Sequence, residues 1–105
     1  MKLPVNINVA GVSFHQKEVS MVRARAWFML VPEPDNPHDL NGTAIRVDAY
    51  GKFKVGYIPA KMSKEVSEML DTGELHCFAD LVQANVSGKH KTIGLKIKLK
   101  RGNAQ

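Results

Sequence analysis

At 105 residues the chain can build one hydrophobic core and is too short for two self-sufficient ones, so a single domain over residues 1–105 is expected, its core at about 5–100. One cysteine, Cys77, excludes an internal disulfide framework, and the longest apolar run, Ala26 to Val31, is too short to cross a bilayer. The formal charge of +5 favours an anionic partner, nucleic acid first; with no signal-like N-terminus, a cytoplasmic protein with no membrane partner is expected.

Leu3, Val5, Ile7 and Val9 alternate with polar residues, which predicts a strand with one buried face. Arg25 to Val31 is a second strand, stopped by Pro32 and Pro34, with Trp27 and Phe28 expected in the core. Pro32 to Gly42 carries three prolines and two asparagines and reads as an ordered loop. Thr43 to Ala49 and Phe53 to Ile58 form a hairpin around a turn at Tyr50-Gly51-Lys52. Gly56 inside the return strand marks a bulge or a close backbone approach. Ser63 is expected to cap a short helix with Met62, Val66, Met69 and Leu70 on its apolar face, and Gly73 to end it. Leu75 to Val86 and Thr92 to Lys100 are two further strands joined by a loop at Ser87 to Lys91. In the last strand Ile93, Leu95, Ile97 and Leu99 point one way and Lys96, Lys98 and Lys100 the other; that lysine row is either a solvated face or a phosphate-binding one. Residues 102–105 read as a loose tail. Six strand-like pieces with one or two short helices predict a mainly-β fold, a small antiparallel barrel of OB-like or SH3-like form.

Four segments carry a family resemblance. They are Val9-Ala10-Gly11-Val12-Ser13-Phe14, Glu33-Pro34-Asp35-Asn36-Pro37-His38-Asp39, Thr43-Ala44-Ile45-Arg46-Val47 and Val55-Gly56-Tyr57-Ile58-Pro59. In order and spacing they resemble the HIRAN domain family. The resemblance implies an OB-like barrel. In fork-remodelling translocases this domain holds the 3′ end of single-stranded DNA. Carried over, Phe14 is the first stacking platform and His38 takes the place of the second aromatic. Asp39 meets the terminal hydroxyl, and Asn36 holds the loop or touches the nucleotide. Tyr57 borders the pocket and Lys61 is the cation nearest the helix start. The chain departs from the family pattern at Ser13, where the DNA-gripping relatives carry a cation, and at His38, where they carry tyrosine. The link at Asn41-Gly42-Thr43 is longer by about two residues.

Read as residues alone, several of these positions stay open. Phe14 either stacks on a base or covers the barrel mouth, and Asp39 either meets a ligand or caps its own loop. Asn36 before Pro37 suits a turn, and Tyr57 suits packing with its hydroxyl wet. Glu33, Asp35, His38 and Asp39 share one loop, but no second ligand cluster and no zinc pattern accompanies them. Pro34-Asp35 is similar to the start of a nuclease motif, without the acidic-x-Lys that must follow. The expectation is therefore a non-catalytic module with no cofactor, binding a single-stranded DNA 3′ end beside a helicase, nuclease or other DNA-processing protein. The alternatives are a protein-interaction adaptor and, further off, a metal-dependent hydrolase.

Overall fold

The computed structural model describes residues 1–87 and 92–103; the expected loop at Gly88 to Lys91 and the last two residues of the expected tail lie outside them. Six strands form one antiparallel sheet: β1 (Val5–Asn8), β2 (Trp27–Pro32), β3 (Ile45–Ala49), β4 (Phe53–Tyr57), β5 (Phe78–Ser87) and β6 (Thr92–Leu99). A 3-10 turn at Val12–Phe14 and the short helix α1 (Gln16–Val19) follow β1, and α2 (Ala60–Thr72) follows β4. The strand order is β1-β6-β5-β2-β3-β4, so the first strand and the fourth are the two edges.

The sheet curls until those edges meet. Ala10, just past β1, exchanges both backbone bonds with Tyr57 of β4: its N–H donates to the Tyr57 carbonyl at 2.8 Å and its carbonyl accepts from Tyr57 N–H at 2.9 Å. Gly56 makes this closure possible. A Cβ there would run into the Ala10 carbonyl oxygen and would stand 2.7 Å from Val9 Cγ1. The pairing of β3 with β4 also slips between Val47 and Asp48, the β-bulge expected beside that glycine.

The inner face holds the core. Ile45, Val47, Val55, Leu95, Ile97 and Leu99 are buried there, with Phe28 of β2 and Val66 of α2. Each such side chain contributes about 1.5–3 kcal/mol by leaving water. The expected alternation in β1 and β6 is present, with Ile7 and Ile97 inward and Asn6 and Lys98 outward and exposed. β2 alternates too, and this corrects one expectation: Phe28 and Leu30 are core, whereas Trp27 points outward and is 40% exposed.

The three-residue β3–β4 loop puts Tyr50 and Gly51 at φ 56° and 65°, the sign a type I′ turn needs at both central positions, and the Lys52 N–H donates to the Ala49 carbonyl at 2.9 Å. The helix also differs from expectation at its start. Pro59 is the N-cap and Ser63 lies inside α2, buried, with its hydroxyl bonded to the Ala60 carbonyl at 3.0 Å. A proline lacks an N–H that the first turn could not use, so the chain enters the helix there without a side-chain cap. Gly73 ends α2 in the left-handed conformation, φ 80°. Gly102, expected in a loose tail, is held: its N–H donates to the Glu74 carbonyl at 2.8 Å, and Arg101 bridges Leu75.

Candidate functional site

The closure corner opens into a groove of about 730 Å³, lined from four directions. The turn after β1 supplies Ala10, Gly11 and Phe14; the loop between β2 and β3 supplies Asn36, His38 and Asp39; β4 supplies Lys54 and Tyr57; the first turns of α2 supply Ala60, Ser63 and Lys64.

The loop is held by its own polar side chains. Asn36 Oδ1 accepts the His38 N–H at 2.8 Å, and Asn36 Nδ2 donates to Glu33 Oε1 at 2.7 Å. Asp39 accepts the Asn41 N–H at 3.1 Å on Oδ1, and the Thr43 N–H at 2.8 Å and hydroxyl at 3.3 Å on Oδ2. Asp39 thus caps its own loop. Partial burial pushes its carboxyl up, but the N–H groups of Asn41, Thr43 and Ala44 and the Thr43 hydroxyl outweigh it and hold the group below the usual aspartate range. Thr43 Oγ1 also lies 3.1 Å from Ser63 Oγ; the two hydroxyl protons are shared among Asp39, the Ala60 carbonyl and this contact, which sets the loop against α2.

Phe14 ends a single 3-10 turn that starts from Gly11, and its ring is 86% exposed. It does not cover the barrel mouth. The turn is anchored from behind by Gln16. Its amide accepts the Ile93 N–H at 2.7 Å and donates to the Ile93 carbonyl at 3.0 Å, so one side chain pairs with the edge of β6 as a strand would.

Tyr57 lines the groove, and Glu33, outside the lining, holds its hydroxyl. The Tyr57 hydroxyl donates to Glu33 Oε1 at 2.6 Å, and Arg46 Nη1 reaches Glu33 Oε2 at 3.3 Å. The Tyr57 bond is the largest influence on Glu33; partial burial opposes it, Asn36, Arg46 and Lys54 add to it, and the carboxyl is held below the usual glutamate range. Partial burial, then the Glu33 bond, push the Tyr57 hydroxyl up. Lys54 Nζ sits 5.2 Å from the Tyr57 ring centroid, over its face.

Of the residues expected in a site, Phe14, Asn36, His38, Asp39 and Tyr57 line this one groove. Lys61 does not; it is exposed on α2 away from the lining. The helical phase explains this. Ala60, Ser63 and Lys64 are spaced i, i+3, i+4 and share a face, which leaves Lys61 about 100° round the helix. Lys54, Lys64 and Thr43 also line the groove and were not expected; the i, i+3, i+4 stripe was the available signal for Lys64. The Glu33 and Asp39 carboxylates of the acidic loop are engaged by the protein itself. Glu33 is spent on Tyr57, Asn36 and Arg46, Asp39 on its own loop, and no three His, Cys, Asp or Glu side chains converge among the described residues. No helix among them is long and apolar enough to cross a membrane.

Comparison with known proteins agrees with this architecture. No curated protein matches the sequence. The crystal structure of the HIRAN domain of human HLTF superimposes with a TM-score of 0.68 at 16% identity, over 90% of this chain and 71% of that one, a likeness of fold. The family model of the HIRAN domain matches residues 4–101, a span that runs from the edge of β1 through the closure corner to the end of β6. By that match the chain belongs to the HIRAN domain family.

Proposed function

We propose that the chain is a non-catalytic nucleic-acid-binding module whose groove takes a single-stranded DNA end with a free 3′-hydroxyl. The observation that supports this most is Phe14, an aromatic ring 86% in water at the lining of a groove. A base stacked on such a ring gains about 1–3 kcal/mol with little sequence preference. His38, exposed on the facing loop, offers a second planar group.

Asp39 gives the end its chemistry. The loop's donors orient this carboxylate at the distances above, and Asp39 still lines the groove, where its negative charge faces a ligand's donor. A terminal hydroxyl donates; a terminal phosphate does not, and its charge is repelled. Because the loop already fixes Asp39, little ordering is lost on binding. Lys54 and Lys64 supply phosphate contacts. Two such contacts give a salt slope of about −1.4 on single strands, a weak grip that suits work beside a helicase, nuclease or other DNA-processing protein in DNA repair.

The test is fluorescence anisotropy with a labelled single strand. Phe14→Ala should weaken binding about 5- to 150-fold, from the stacking energy. Stability should stay within about 0.5 kcal/mol, because the ring buries almost nothing. Unchanged affinity would overturn the reading.

One observation favours a second reading, a protein-interaction adaptor. β2 pairs β5 only over Phe78 to Asp80, so among the described residues Val82 to Ser87 present a free strand edge with no charged residue. A protein captured by the chain and lost on Asn85→Lys, with oligonucleotide binding intact, would favour it.

A further inference from the structure

The sole tryptophan lies outside the groove. The Trp27 ring stands edge-on to Phe78, centroids 5.3 Å apart at 89°. His76 tilts against Phe78 at 5.5 Å, and its Nδ1 accepts the Phe78 N–H at 3.0 Å, which fixes the imidazole. Together with Asp80 and Lys100 these rings line a shallow depression of about 300 Å³ on the outer face of the sheet. Nothing in the core requires an exposed Trp there.

The surroundings are cationic. Lys98 is the cross-strand partner of Asp80, and Asp80 is the partner of Trp27, so all three share one row. The one acid in that row is neutralised by Lys100 at 3.2 Å, whereas Lys98 is exposed and makes no ion pair among the described residues. An anion is the complement of this face. Planar rings beside regularly spaced cations fit a polymer that carries a flat base and a phosphate in each unit. An acidic peptide would satisfy the lysines and leave Trp27 without a stacking partner.

The register joins this face to the groove. Lys54 of the groove pairs with Asp48, Asp48 with Met29, and Met29 with Phe78. Three inter-strand spacings of about 4.8 Å make the distance about 14 Å. We infer that the Trp27–Phe78 face with Lys98 and Lys100 is a second contact for single-stranded nucleic acid, carrying the internal nucleotides that lead away from the end held in the groove. The continuity, though not the chemistry of the face, rests on the groove reading above.

The test uses the intrinsic emission of Trp27 in the full chain. Two thymidine oligomers with 3′-hydroxyl ends are compared, one about twelve nucleotides long and one about three. The longer should quench Trp27 and the shorter should not. The longer should bind about tenfold tighter, the gain from roughly one further stacked base. Lys98→Glu should abolish that advantage and leave the short oligomer's affinity unchanged. If the longer oligomer quenches Trp27 while the short one fails to bind, the groove reading falls and this face stands. Equal affinity for the two oligomers with unaltered emission overturns the inference, as does a polyglutamate peptide that quenches Trp27 as strongly as the oligomer.

Discussion

Gly56→Ala is the substitution that most directly probes the closure of the sheet. The added methyl would be driven into the Ala10 carbonyl and toward Val9 Cγ1, 2.7 Å away, and both belong to a chain segment that cannot shift without leaving β4. Relief requires the segment after β1 to move out, which breaks the two backbone bonds between Ala10 and Tyr57. Those bonds contribute about 1 kcal/mol each. Overpacking at Val9, a core residue, adds about 1–3 kcal/mol, so the expected loss is about 3–5 kcal/mol. That is a large fraction of the stability of a small domain. Urea unfolding followed by far-ultraviolet circular dichroism measures it. Gly94→Ala is the control, since a Cβ there would meet only the Asn85 carbonyl, at 3.8 Å. The turn bearing Phe14 springs from the displaced segment, so oligonucleotide affinity should fall with stability in Gly56→Ala and hold in the control. A Gly56→Ala protein within about 0.5 kcal/mol of the parent would refute the closure argument.

Further expectations follow from single contacts. Gln16→Ala strips the Ile93 N–H and carbonyl of their partner and should cost about 1–3 kcal/mol, seen as faster hydrogen exchange at the Ile93 amide. Tyr57→Phe removes the largest influence on Glu33, so the Glu33 carboxyl should titrate closer to the ordinary glutamate value, read by carboxyl-carbon NMR. The Tyr57–Glu33 bond supports the fold above the ordinary glutamate value and is lost as pH falls through the lowered one, so parent and variant should converge in acid. Ser63→Ala removes the hydroxyl that ties Thr43 to α2 and should cost about 1 kcal/mol in urea unfolding, with a weaker grip on the DNA end as the loop loosens.

Much of this fold is legible where burial follows a simple period. Ile93, Leu95, Ile97 and Leu99 alternate with lysines and report a strand with one wet face, and Gly56 inside a strand signals the close approach that closes the sheet. Trp27 misleads because β2 is apolar on both faces, so its run of large residues shows no period and hides which ones face out. Ser63 misleads because hydroxyl residues favour caps, yet here Pro59 starts the helix and the hydroxyl is used against Thr43. The two short turns after β1 have no local signature at all. Their anchor is Gln16 on Ile93, a partner 77 residues away in the chain. The loop from Glu33 to Thr43 could be read from its Asn, Asp and Pro content. Its linkage to Tyr57, Lys54 and Arg46 could not, because it depends on the register of β3 with β4 and on the bulge between Val47 and Asp48.

The chemistry at the end of the strand can be varied in the ligand while the fold is left untouched. Anisotropy at low salt should compare one short single strand ending in a 3′-hydroxyl with the same strand ending in a 3′-phosphate. On the proposed role of Asp39, the hydroxyl end should bind at least about tenfold tighter, since a carboxylate would accept from a hydroxyl and repel a phosphate. Equal affinity for the two ends would contradict it.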